Sequence, residues 1–187
     1  MRFVQPIKDK EQLQEFADYL YAKNERDYIM FMLGVNLGLR VSDILPLRVR
    51  DVRNKDSVKV FEEKTGKFNQ VVINYELKKA LEHYIKGMKD NEHLIKSRKR
   101  TKTGKQQPID RVQAYRILKQ AAKAIGYTGD IGTHSLRKTF GYRFYQKSNQ
   151  DVGALMRIFN HDDQTITLRY IGIEQEQVDN IIMHLHK

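Results

Sequence analysis

Cysteine is absent from the 187 residues, which removes disulfides, thiolate metal sites and cysteine nucleophiles together. Proline is scarce: Pro6, Pro46 and Pro108 leave no proline-rich linker, and no internal repeat divides the chain. No apolar run approaches the roughly 20 residues needed to span a bilayer, and residues 1–12 lack the apolar centre of a signal peptide. The reading is a soluble, cytoplasmic protein with no membrane partner. A Walker-type loop and a GxGxxG turn are also missing. No His-x-x-x-His pair or carboxylate-rich cluster reads as a metal site, so no cofactor is expected. The scarcest side chains relative to their counterpart are acidic ones: 23 Asp and Glu face 34 Lys and Arg, leaving a formal charge of +11.

What is present suffices for a folded domain. Hydrophobic residues make up 40% and aromatics 10% of the chain, too many for an intrinsically disordered one. The positive excess points to a polyanionic partner, because each cation that neutralises a phosphate releases a counterion.

The hydrophobic spacing predicts helices through most of the length. Asp9-Lys10-Glu11-Gln12 reads as a capped start before an apolar stripe at Leu13, Phe16 and Leu20. A second helix is expected over 26–37 with Tyr28, Phe31, Met32 and Val35 inward, and Ser42 as the cap of a short helix ending near Pro46. The period then changes: β-branched runs at 58–61 and 70–73 around Thr65-Gly66-Lys67 read as a hairpin. Helices follow over 74–88, over 110–125 with Val112, Tyr115, Leu118 and Ala122 inward, and over 133–146, 152–159 and 165–170. A last one over 174–186 carries Val178, Ile181, Ile182 and Leu185 at i, i+3, i+4, i+7 spacing. The expected class is mainly α with one small antiparallel sheet. Lys96, Arg98, Lys99, Arg100, Lys102 and Lys105 fall in ten residues without an acid, read either as a solvated loop or as an arm along a phosphate backbone.

Several side chains invite chemistry. His134 and Arg137, three residues apart, project from one helical face. Arg40 follows Gly38-Leu39 at the end of a buried helix, where a cation needs an anionic partner; Asp43, one turn on, is a candidate. His161 precedes Tyr170 by nine residues, and Asp162-Asp163 between them reads as a helix cap rather than a metal pair.

In order, these motifs resemble the tyrosine recombinase (phage integrase) family. Gly38-Leu39-Arg40-Val41-Ser42-Asp43 is similar to its first box, Lys64 in Glu63-Lys64-Thr65-Gly66-Lys67 to its hairpin lysine, His134-Ser135-Leu136-Arg137 to its His-x-x-Arg box, and His161 to Tyr170 to its last box. One departure stands out: the family usually has Leu-Gly before the second histidine, and this chain has Phe159-Asn160.

The resemblance implies the DNA breaking-rejoining catalytic fold, a single catalytic domain over 1–187 without the family's N-terminal core-binding domain, and origin in a phage or mobile element. It implies catalytic roles for Arg40, Lys64, His134, Arg137, His161 and Tyr170, with Asp43 supporting them and Lys67, Arg98, Lys99, Arg100, Lys102 and Lys105 contacting DNA. The implied reaction cuts and rejoins double-stranded DNA through a 3′-phosphotyrosyl link, as type IB topoisomerases do, without a cofactor. The implied location is the nucleoid, with self-association through the last helix and room for an accessory DNA-binding protein. A non-catalytic DNA-binding module, such as a decayed recombinase acting as a repressor, and a metal-independent nuclease using the two histidines stay open as alternatives.

Overall fold

The structure, a computed structural model, describes residues 4–173 together with residues 182 and 183. Asp9 accepts a hydrogen bond from the Gln12 amide and starts α1 (Lys10–Lys23), which buries Phe16, Ala17 and Leu20. Asn24 ends α1 in an extended conformation, and its side chain accepts from the Arg26 amide to open α2 (Glu25–Leu37). The expected one-sided stripe on α2 is corrected: every residue from Ile29 to Leu37 is buried, while Tyr28 is only half-buried. The reason is position, because α1, a helix at residues 75–84 and one at residues 133–147 all pack on α2.

Gly38 stops α2 with φ +62, a left-handed conformation that glycine adopts without steric cost. Arg40 then occupies the cap position of α3 (Val41–Ile44); Ser42 lies inside that turn and caps nothing, contrary to expectation. Strands β1 (Ser57–Phe61) and β2 (Phe68–Val72) pair antiparallel, with Phe61 opposite Phe68 and Ser57 opposite Val72. Asn74 caps α4 (Tyr75–Tyr84), which ends short of the expected residue 88 as the chain turns through Gly87 at φ +81.

The basic stretch is a second hairpin rather than a loop or arm. β3 (Lys96–Arg100) and β4 (Gln106–Pro108) pair antiparallel around a turn in which the Thr101 amide donates to the Lys105 carbonyl and Gly104 takes φ +76. It is tied down at its base, where the Arg26 guanidinium donates to the Lys96 carbonyl at 2.7 Å and Lys96 pairs with Glu92. Where one sheet was expected, the described residues therefore form two two-stranded sheets.

In α5 (Arg111–Ala124) the buried face is Ala114, Ile117, Leu118, Ala121 and Ala122; Val112 and Tyr115, expected inward, are exposed. Next come α6 (Thr133–Lys147), α7 (Val152–Phe159) and α8 (Gln164–Ile171). Asp163 caps α8 by accepting from the Ile166 amide, as the sequence predicts. The expected helix over 174–186, and the association assigned to it, lie outside the described residues except for Ile182 and Met183, which are exposed.

Two apolar clusters result. The larger runs from Ile7 through α1, α2, α4 and α5 to Leu136; the smaller joins Tyr145, Leu155, Phe159, Ile171 and Ile173. Helix α6 belongs to both, so residues on its first turns lie along the seam.

Candidate active site

Close backbone approach sets the seam. A Cβ on Gly34 would lie 2.5 Å from the Leu136 side chain, and one on Gly38 would lie 2.3 Å from Phe140. Helix α6 thus rests directly on the α2 backbone, which puts Arg137 against the end of α2. Arg137 is 2% exposed. Its Nη1 donates to the Gly38 carbonyl at 2.6 Å and its Nη2 to the Phe159 carbonyl at 3.0 Å. Its guanidinium also lies 4.4 Å over the Phe159 ring. A buried cation held by carbonyl oxygens and a ring face keeps its full charge, the arrangement expected of a group awaiting an anion.

Arg40 turns toward the same space, but Asp43 is not its partner. Its Nη1 donates to Glu62 at 2.6 Å, and that carboxylate is fully buried. Glu62 also accepts from the Thr65 hydroxyl at 2.7 Å and from the Asn69 side chain at 3.2 Å. Burial raises the Glu62 pKa, but the bonds from Thr65, Arg40 and Asn69 outweigh it and hold the carboxyl below its usual range. Asp43 instead accepts from the Glu63 amide at 3.0 Å, steadying the same hairpin. Its second oxygen is buried with no hydrogen-bond partner.

Between these groups opens a cleft of about 410 Å³ lined by Arg40, Ser42, Lys64, Arg111, His134 and Arg137, among others. Lys64, at the exposed tip of the β1–β2 hairpin, forms one wall. At the mouth, the Tyr170 hydroxyl lies 3.4 Å from His134 Nδ1. His161 Nδ1 is 3.1 Å from the Thr167 hydroxyl, and its ring meets that of Tyr170 edge-on at 5.5 Å. Of the six residues expected to act together, Arg40, Lys64, His134 and Arg137 line the cleft, while Tyr170 of α8 joins them through His134, and His161, in the turn after α7, through the Tyr170 ring.

Electrostatics follow from burial among cations. Desolvation, and then Arg137, Lys138, Arg40 and Lys64, push the His134 pKa below its ordinary range. Desolvation, Arg137 and Arg40 do the same to His161. Burial pushes the Tyr170 phenol up, against the pull of Arg137 and Arg40. Lys138 is buried beneath the tyrosine, and desolvation pushes its pKa down to about 8. Its ammonium donates to the Val4 carbonyl at 2.8 Å and lies 5.1 Å from the Tyr170 ring centre.

The phage integrase family model matches residues 7–177. The chain belongs to the phage integrase family. It is 51% identical to the probable integrase/recombinase YoeC of Bacillus subtilis over 94% of its own length and 93% of that protein. It is 30% identical to a tyrosine recombinase of Pseudothermotoga lettingae, covering 91% of this chain but 57% of that one. The fold is that of the solved XerH site-specific recombinase bound to its palindromic difH substrate, with a TM-score of 0.70 at 14% identity, covering 100% of this chain and 54% of that one. The chain thus spans about half the length of the last two and nearly all of YoeC.

The departure from the family's usual Leu-Gly has a structural account in this chain. Asn160 takes φ 53 and ψ 43 at the end of α7, the left-handed conformation that asparagine tolerates best after glycine. Phe159 fills more space than a leucine, and its ring touches Arg137, His161 and Tyr170.

Glu62, Asn69 and Lys138 are site residues that the sequence did not single out, and Phe159 stood out only as a departure from the family's Leu-Gly. Glu62 carries a faint signal, as one of two acids just before the hairpin lysine, at a point where Arg40 needs an anionic partner. Lys67 lies on the exposed hairpin turn outside the cleft, and Arg98, Lys99, Arg100, Lys102 and Lys105 line the exposed second hairpin.

Proposed function

We propose that the chain is the catalytic domain of a site-specific recombinase that cleaves and rejoins double-stranded DNA through a 3′-phosphotyrosyl intermediate. The observation that carries this is the placement of the Tyr170 hydroxyl beside His134 at the mouth of a cleft lined by two arginines and the hairpin lysine. Arg40 and Arg137 grip the scissile phosphate and stabilise the charge that grows on its oxygens. Tyr170 is a poor nucleophile as a neutral phenol, the more so because burial raises its pKa. Neutral His134, protonated at Nε2, accepts the phenol proton at Nδ1 as the Tyr170 oxygen bonds to phosphorus.

The bond from phosphorus to the 5′ oxygen breaks, and Lys64 protonates that leaving oxygen. His161 donates a hydrogen bond to a phosphoryl oxygen. Attack by a second 5′ hydroxyl on the phosphotyrosine reverses each transfer and releases Tyr170. One phosphodiester is exchanged for another ester of similar energy, so the chemistry balances without a further reactant. The basic β3–β4 hairpin and Lys67 hold flanking backbone phosphates.

The test uses supercoiled plasmid carrying the DNA that flanks the integrase gene. SDS quenching traps covalent protein–DNA adduct from the wild type and none from Tyr170→Phe, while both bind the DNA equally in gel shifts. Equal binding without adduct from either protein contradicts the proposal and favours a DNA-binding module. Activity that survives Tyr170→Phe favours a histidine nuclease.

A further inference from the structure

Glu62 sits in an unexpected place for a protein that must attract phosphate. A buried carboxylate within 2.6 Å of Arg40 cancels charge where an anion is to bind. Its connections show what it gives in return. Arg40 keeps one edge of its fork on Glu62, which fixes the guanidinium plane while the rest of the side chain lines the cleft. The Glu62 amide donates to the Lys67 carbonyl at 3.0 Å, and its own carbonyl accepts from the Gly66 amide at 2.8 Å, so Glu62 closes the turn that carries Lys64. Thr65, in that turn, donates to the same carboxylate. Asn69 donates both to Glu62 and to the Ile158 carbonyl of α7, at 3.3 Å, one residue before the carbonyl that holds Arg137. One carboxylate therefore ties Arg40, the Lys64 turn and the end of α7 into a single rigid piece.

We propose that Glu62 is a positioning residue for strand transfer, which aligns Arg40 and the Lys64 hairpin as one unit at the cost of ground-state attraction for phosphate. The inference rests on the recombinase reading of the cleft. Alignment of charged donors before the reaction lowers the barrier itself, whereas a free cation strengthens only binding. Removing the negative charge thus releases Arg40 to the DNA and slows the chemistry, two effects of opposite sign.

Glu62→Gln keeps the shape and the hydrogen-bond acceptor but not the charge. Adduct formation on the same supercoiled plasmid is expected to fall at least about tenfold, the scale of a misaligned catalytic group. Binding to a duplex of the flanking DNA is expected to be as tight or tighter, with log K falling against log[KCl] more steeply by up to about 0.9, the worth of one cation whose charge Glu62 no longer offsets at the phosphate. Glu62→Asp restores the wild-type salt slope. Thr65→Val, which removes an exposed hydroxyl that donates to Glu62 and accepts from the Lys67 amide, gives a smaller fall in adduct at unchanged slope.

An unchanged salt slope in Glu62→Gln overturns the inference. So does a parallel loss of adduct, affinity and melting temperature in Glu62→Gln and Thr65→Val, which marks Glu62 as structural only. If the wild type forms no adduct, the recombinase reading fails, and the salt slope still decides whether Glu62 holds Arg40 back from phosphate.

Discussion

At the scale of single residues, the site is a set of charges whose strength comes from being taken out of water. His134 and His161 lie among cations and partly desolvated, so both are neutral at pH 7. The unfolded chain protonates its histidines near pH 6.5, before the folded one does. The stability of the neutral pair is therefore complete above about pH 6.5 and lost as pH falls through the folded values. Melting temperature should decline on that side, and the rate of adduct formation should fall with it, because protonated His134 cannot accept from Tyr170. A His134→Gln variant should lose most of its rate and flatten that acid limb; a limb that persists unaltered assigns the titration elsewhere. The six residues proposed to react were legible because each short motif that holds them is local in the chain. Glu62 was not, since its partner Arg40 is 22 residues away and only hairpin pairing brings them together.

At the scale of elements, the seam between α2, α6 and α7 decides whether Arg137 points into the cleft. Gly38→Ala would force a Cβ into Phe140 and a side chain into positive φ. It should cost about 2–4 kcal/mol, from overpacking of about 1–3 and a left-handed penalty of about 1, read from urea unfolding. Asn160→Gly should leave stability within about 1 kcal/mol, because glycine takes the same backbone freely and the change removes a buried side-chain amide nitrogen without a partner. Asn160→Val should be clearly worse than either asparagine or glycine.

Helix existence was readable from period and from caps at Asp9 and Asp163. Which face lay inward was less so. On α5 the larger Val112 and Tyr115 suggested one face, yet small Ala114, Ala121 and Ala122 are what allow the helix to pack closely. The basic hairpin escaped prediction because its strands, Lys-Ser-Arg-Lys-Arg and Gln-Gln-Pro, have no apolar alternation; backbone pairing and the Arg26 anchor form it instead.

At the scale of the whole molecule, the net charge of +11 includes cations on both hairpins and in the cleft. Replacing Arg98, Lys99 and Arg100 together by alanine should weaken DNA binding at every sequence alike. The salt slope should become shallower by about 2.7 if all three reach phosphates, at about 0.9 each. An unchanged slope assigns that hairpin to something other than DNA. No helix among the described residues is long and apolar enough to cross a membrane. The smaller apolar cluster carries Tyr170 and Phe159, while the larger carries α2 and the supports of Arg40, so bound phosphate would bridge both.

That bridging puts the proposed bond between Tyr170 and phosphorus at the centre of the chemistry. The adduct trapped on flanking DNA can be digested with nuclease and protease and its remaining peptide sequenced by mass spectrometry. A nucleotide joined through its 3′ phosphate to Tyr170 is the predicted result. A nucleotide on any other residue, or a 5′ linkage, would contradict it.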